Sequence, residues 1–197
     1  MKKSRKVFVV VTLFFLGFTS QAQIFGVKGA VGLANISSPN EIVNARFGRT
    51  LGARIGGTIE FDITDNLYIG SGLGFAKKGA STTGDNINLY YVELPAGARY
   101  DILEIGNSGY LYASAGLNLG ILAFANSAGE KLNVGNSNGD VFKGIDLGFS
   151  TGVGVIFDDR FEVGLLTEFG LPDISTSTNT VIRNLALMVS FGYKFGM

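Results

Sequence analysis

After residue 23 the chain alternates apolar positions with polar or glycine positions in eight separate stretches, and this period of two restricts the fold more than any other feature. Such a period belongs to extended strands, in which successive side chains face opposite sides of a sheet. In the stretch 49–63, Leu51, Ala53, Ile55, Ile59, Phe61 and Ile63 share one face, while Thr50, Gly52, Arg54, Gly56, Thr58, Glu60 and Asp62 share the other. The remaining stretches are 24–35, 67–77, 88–102, 110–124, 144–157, 161–170 and 183–195. No segment after residue 23 carries the i, i+3, i+4 spacing of an amphipathic helix.

Strands with one apolar face build either a soluble sandwich or cup with that face inward, or a membrane barrel with that face toward lipid. Composition decides between them. Hydrophobic residues make up 46% of the chain, with 16 Phe and 7 Tyr, and charged residues only 16%, against roughly 25% in soluble domains. The polar faces are rich in glycine and sparsely charged, unlike a solvated surface. Each stretch also has the ~9–11 residues that a tilted transmembrane strand needs. The connections alternate: 36–48, 78–87, 125–143 and 171–182 are long, whereas 64–66, 103–109 and 158–160 are short. Short turns on the periplasmic side and long loops outside are the outer-membrane pattern. The aromatic residues Phe25, Phe61, Tyr100, Phe157, Phe161, Tyr193 and Phe195 all fall at the short-turn end with outward parity, where an interfacial girdle belongs. The spacing therefore predicts an all-β fold, an eight-stranded antiparallel up-and-down transmembrane β-barrel. A lipocalin-like soluble cup would need the two faces exchanged.

Residues 1–22 read as a cleaved signal peptide that precedes the barrel domain, 23–197. Lys2, Lys3, Arg5 and Lys6 form a basic start, Val7–Phe18 an apolar run too short for a membrane helix, and Ser20-Gln21-Ala22 a small-residue cleavage site. Cleavage would remove four of the 16 basic residues and none of the 16 acidic ones, leaving a net charge of −4. A mildly acidic chain with no basic stripe excludes nucleic acid as a partner. With no Cys and no His in the sequence, disulfides, a lipid-anchored cysteine and the Ser–His or Cys–His catalytic arrangements are unavailable. No cofactor motif is present, and the acidic and Asn-rich loop positions (Asp85 with Asn86; Asn136, Asn138 and Asp140) lack the spacing of a calcium loop.

The inward face sets the candidate site. Charges of both signs pointing into a narrow lumen should pair, because an unpaired buried charge is costly. A polar network is expected in which Arg54 and Arg99 are neutralised by some of Glu60, Glu93 and Glu162, as a plug rather than as a catalytic or conducting site. Glu60 and Glu93 are also the pair of carboxylates that acid–base catalysis would require to sit close together.

Phe25-Gly26-Val27-Lys28-Gly29-Ala30-Val31-Gly32-Leu33-Ala34-Asn35, the run Tyr91-Val92-Glu93-Leu94-Pro95 followed by Arg99-Tyr100, and the closing Gly192-Tyr193-Lys194-Phe195 resemble the PorT-like outer-membrane β-barrel family of Bacteroidota. The resemblance implies an outer-membrane location, contact with membrane lipid, and insertion by the barrel-assembly machinery. One departure is that Gly196 and Met197 follow the terminal aromatic Phe195 that the machinery reads. The motifs specify the barrel and not an activity. The expected role is non-enzymatic, structural or surface-interacting through the long loops, with 125–143 the foremost candidate for contact with a protein partner. An accessory role in type nine protein secretion, implied by the family name, and a narrow pore or small-ligand barrel remain as alternatives. Oligomeric state does not follow from the residues.

Overall fold

The computed structural model describes residues 23–195 except 107, 138, 178 and 179; the predicted signal peptide, residues 1–22, and the terminal Gly196–Met197 lie outside the described residues. Eight long strands carry the fold: β1 (Gln23–Ser37), β2 (Thr50–Thr64), β3 (Leu67–Ser81), β4 (Asn86–Glu104), β5 (Tyr110–Ser127), β7 (Ile145–Phe157), β8 (Phe161–Gly170) and β9 (Arg183–Phe195). A short helix α1 (Glu41–Asn44) and a three-residue strand β6 (Glu130–Leu132) lie in the connections. Consecutive long strands pair antiparallel, and β1 pairs with β9, so the sheet closes into an eight-stranded barrel with no free edge.

The alternation dictates which face goes where. Phe25, Val27, Leu51, Ile55, Phe75, Val153, Leu165 and Phe191 stand exposed on the outside, Ile55 at 66%. Exposure on this scale across every strand suits a lipid solvent, not water. At the short-turn end the register brings Phe25 against Phe195, Phe157 against Phe161, and Phe161 against Tyr193. The Phe161 and Tyr193 ring centroids are 5.1 Å apart, and those of Tyr193 and Phe195 are 5.2 Å apart. That contiguous girdle places the short turns at one membrane interface.

Two connections differ from expectation. The hydropathy pattern predicts a long loop over 78–87, but β3 continues to Ser81 and β4 starts at Asn86, leaving a four-residue turn closed by the Thr82 N–H donating to Asp85 O at 2.7 Å. At ~3.4 Å per residue, the 19 residues of β4 extend roughly 65 Å, well beyond the ~30 Å hydrocarbon core even when tilted. Outside the lipid the outward face no longer has to be apolar, so the hydropathy signal stops before the strand does. Within 125–143, β5 runs on to Ser127 and β6 folds back along it. Ala128 (φ 53°) and Gly129 (φ 82°) form the two-residue turn between them, the left-handed pair that matches hairpin twist. Helix α1 is capped by Asn40, whose Oδ1 accepts from the N–H groups of Ile42 (3.0 Å) and Val43 (3.2 Å).

Candidate functional site

Side chains on the inward face of every long strand meet in the lumen, where glycine decides how much room they have. Tyr112 of β5 faces Gly154 of β7, which faces Gly164 of β8. A Cβ at either glycine would lie 2.6 Å from the Tyr112 hydroxyl. The two bare positions therefore let the ring lie across neighbouring strands, with its hydroxyl donating to Glu162 at 2.5 Å.

The charges form two layers. Toward the short turns, Glu60 receives Lys194 (2.7 Å) and Arg99 (3.1 Å), Arg99 also pairs with Asp101, and its guanidinium stacks 3.7 Å from the Tyr68 ring centroid. Lys28 pairs with Glu162 at the same end. Nearer the long loops, Arg54 pairs with Glu93 (2.6 Å) and Glu168, while Lys78 pairs with Glu93 (2.8 Å) and Glu168 and lies 3.9 Å from Asp146. Asn118 donates to Glu168 at 3.1 Å, and Asn184 to both Asp146 (2.8 Å) and Tyr91 Oη (2.9 Å). Lys78 is only 2% exposed, and removing either cation would leave carboxylates in a site where unpaired charge costs several kcal/mol.

Of the five residues singled out from the sequence, the structure brings together Arg54 with Glu93 and Arg99 with Glu60. Glu162 meets neither arginine and pairs instead with Lys28. Glu60 and Glu93 do not form a catalytic pair. The register sets Glu60 level with Gly70 and Glu93 level with Gly74, about 13 Å apart along the strands, and each is held by its own cations. Lys28, Asp101, Asp146, Glu168 and Lys194 lie on the inward faces read from the sequence but outside the network expected there, and Lys78 was missed outright. Lys78 carries the recoverable signal: it follows Gly74 and Ala76 on the inward parity of β3, but sat in a segment read as loop. Among the described residues no group of three acidic, His or Cys side chains is placed to hold a metal ion.

Above the outer charge layer the mouth is filled. Ile36, Ala76, Ala80, Leu89, Tyr91, Leu122 and Ala125 of the strands pack with Phe142, Ile174 and Ile182 from the loops, and Val43 and Phe47 press against them. The register of β4 and β5 shifts between Tyr90/Phe124 and Tyr91/Leu122, a bulge that turns Leu122 and Ala125 inward in spite of their spacing of three. Loops 125–143 and 171–182 are stitched together: the Lys143 N–H donates to Ile174 O (2.8 Å), Lys143 Nζ pairs with Asp173 (3.1 Å), and Thr176 Oγ1 donates to Asp140 O (2.5 Å). Partial burial works against ionisation of Asp173, yet the N–H groups of Ile182 (2.9 Å) and Ser175 (3.0 Å) and the Lys143 ammonium hold its carboxyl below the ordinary range. Below the outer charge layer is an interior cavity of ≈170 Å³, lined in part by Lys28, Arg54, Thr58, Pro95, Ser114 and Leu166.

A closed barrel with an apolar outer face, an aromatic girdle and a charge-paired interior defines an integral outer-membrane β-barrel protein, resident in the cell outer membrane. The chain belongs to the family described as outer membrane protein beta-barrel domain, whose model matches residues 20–176. Among solved structures, Neisserial surface protein A (NspA) is similar at a TM-score of 0.57 and 15% identity, over 89% of this chain and 100% of that one. Ail, the attachment invasion locus protein of Yersinia pestis, is similar at 0.50 and 12%, over 89% and 99%. At these identities the likeness is one of fold. No curated protein matches the chain.

Proposed function

We propose that this protein is a non-enzymatic outer-membrane barrel whose working surface is the outer face of the stitched loops 125–143 and 171–182, where it contacts a protein partner. The observation that carries this reading is the filled mouth. Phe142, Ile174 and Ile182 anchor the loops over a layer of paired charges, which favours a plug over a conducting path. Loops anchored in this way are pre-ordered, so a partner binds them at less cost in conformational entropy. In this reading Arg54, Glu60, Glu93, Arg99 and Glu162 are structural, each engaged by an opposite charge. The lack of His and Cys and the separation of Glu60 from Glu93 support the absence of catalysis. The finer assignment to the PorT-like group of Bacteroidota, the cleaved signal peptide and insertion by the barrel-assembly machinery rest on the sequence motifs, and a role in type nine secretion on the name of the family they resemble.

Two measurements test the reading. In planar bilayers the refolded chain should give no conductance steps; a sustained open pore would overturn the plug. In intact cells, photo-crosslinkers at the exposed Lys131 and Asn136 should yield a discrete protein adduct. Absence of any adduct at both positions would overturn the contact surface.

A further inference from the structure

The outer rim of the lipid-facing wall differs from one side of the barrel to the other. With outward parity, Arg49 stands 12 residues from the girdle residue Phe61 along β2, Arg183 stands 10 from Tyr193 along β9, and Lys77 stands 10 from Leu67 along β3. Ten residues at ~3.4 Å each and a tilt near 40° rise roughly 26 Å, the height of the ~25 Å apolar band of such barrels. The three cations therefore sit where hydrocarbon gives way to lipid headgroups. Their strands are consecutive in the wall, β9–β1–β2–β3. The pairs Ala34↔Thr50, Ser37↔Arg183 and Ala53↔Lys77 put the Arg49 Cα roughly 12 Å from that of Arg183 and roughly 14 Å from that of Lys77, gaps that the long side chains can close around one headgroup.

On the opposite half the rim is apolar. Tyr90 of β4 and Phe124 of β5 stack there with centroids 4.2 Å apart, Ile145 of β7 is exposed beside them, and Lys143 is already paired with Asp173. On the basic half, Arg49, Lys77 and Arg183 have no ion-pair partner among the described residues. The outward faces of β9, β1, β2 and β3 carry no acidic residue. Glu41 in α1 and Asp85 in the β3–β4 turn lie in the adjoining connections, and neither pairs with these cations. Arg46, exposed in the connection before β2, adds a fourth positive charge.

We propose that this face of the barrel, built by Arg49, Lys77 and Arg183, binds the phosphate-bearing headgroup of a lipid in the outer leaflet. Unpaired guanidinium groups present forked donors that match phosphate oxygens, and Lys77 adds a point charge from below. Directly beneath the cations, Leu33, Leu51, Phe75 and Leu187 are exposed and receive the acyl chains. The cations share the parity of these lipid-facing residues, so a lipid lying against the wall makes both contacts at once, whereas a free phosphate ion makes only the polar one. Neutral or zwitterionic lipid suits the aromatic half equally well, so the charge asymmetry selects an anionic lipid for this side. The site goes beyond the loop-contact reading and stands or falls separately from it.

The chain has no tryptophan, so one introduced indole reports on the lipid beside it. Leu33→Trp lies between Leu187 and Leu51, beneath the cations, and Leu119→Trp lies between Leu94 and Leu147 on the far side of the barrel. Each variant is refolded in phosphatidylcholine liposomes in which part of the lipid is phosphatidic acid, a phosphate monoester, with brominated acyl chains that quench the indole. Against brominated phosphatidylcholine, phosphatidic acid should be preferred at least about five-fold at Leu33→Trp and less than about two-fold at Leu119→Trp. Adding Arg49→Gln, Lys77→Gln and Arg183→Gln should remove the preference at Leu33→Trp, while the compact band on unboiled gels shows that the barrel is still folded. Glycerol 3-phosphate, the same headgroup without chains, should leave the quenching unchanged. Equal preference at both reporters, no preference at Leu33→Trp, persistence of the preference in the triple Gln variant, or its relief by glycerol 3-phosphate would each overturn the lipid site.

Discussion

Replacing Lys78 by methionine keeps its length and removes one charge from the outer layer. Lys78 and Arg54 together face Glu93, Glu168 and Asp146. After Lys78→Met a single guanidinium faces three carboxylates in a site where the lysine side chain was 3% exposed. Removing one partner of a buried pair costs about 3–5 kcal/mol. With a slope of ~2 kcal/mol per molar urea, the midpoint should fall by roughly 1.5–2.5 M. The assay is urea unfolding of the refolded barrel in detergent, followed by the compact band on unboiled gels. Adding Glu168→Gln removes the charge left behind and should return part of the loss, with a coupling of about 1–3 kcal/mol. A loss below ~1 kcal/mol for Lys78→Met, or strict additivity in the double variant, would show that water screens the lumen charges and would refute the paired-core reasoning.

Three further outcomes follow. Gly164→Ala puts a Cβ 2.6 Å from the Tyr112 hydroxyl and 2.8 Å from Val153 O, and should cost about 1–3 kcal/mol by overpacking, partly recovered by Tyr112→Phe in the same urea assay. Phe142→Ala removes the loop residue buried in the mouth, at a local cost of about 3–5 kcal/mol, and should speed tryptic cleavage after Lys131 and Lys143. The Asp173 carboxyl titrates below its unfolded value, so its contribution is present above the ordinary carboxylate pKa of ~3.9 and is lost as pH falls through the lower folded value. Pepsin nicking of 171–182 should therefore rise only below about pH 4, whereas Asp173→Asn should be nicked already above it.

Within the lipid the strands were legible because two solvents imposed the pattern. Outward residues had to be apolar, inward ones small or charged, and β8 and β9 begin and end where the alternation does. Beyond the lipid only the inward face stays constrained. Ala76, Lys78 and Ala80 keep the inward parity of β3, while Lys77 outside is free to be charged, so hydropathy ended the strand too early and hid Lys78. The partners of each charge were less legible still. Arg54 reaches Glu93 on β4 and Glu168 on β8 across the lumen, and cross-barrel neighbours depend on register and closure, which no local spacing encodes. The bulge opposite Tyr91, which turns Leu122 and Ala125 both inward, breaks the period within β5, as shifts between Asp62 and Thr64 and between Asp101 and Leu103 do at the short-turn ends of β2 and β4.

The central claim is the sense of the two faces, and spin labels placed singly along β2, on a chain without native cysteine, test it most directly. In liposomes, collision with oxygen at positions 51 to 61 should oscillate with a period of two, with maxima at odd positions such as Ile55 and minima at even ones such as Arg54 and Thr58. Maxima at the even positions, or mobile and water-accessible labels throughout, would contradict a barrel that faces lipid with its apolar side.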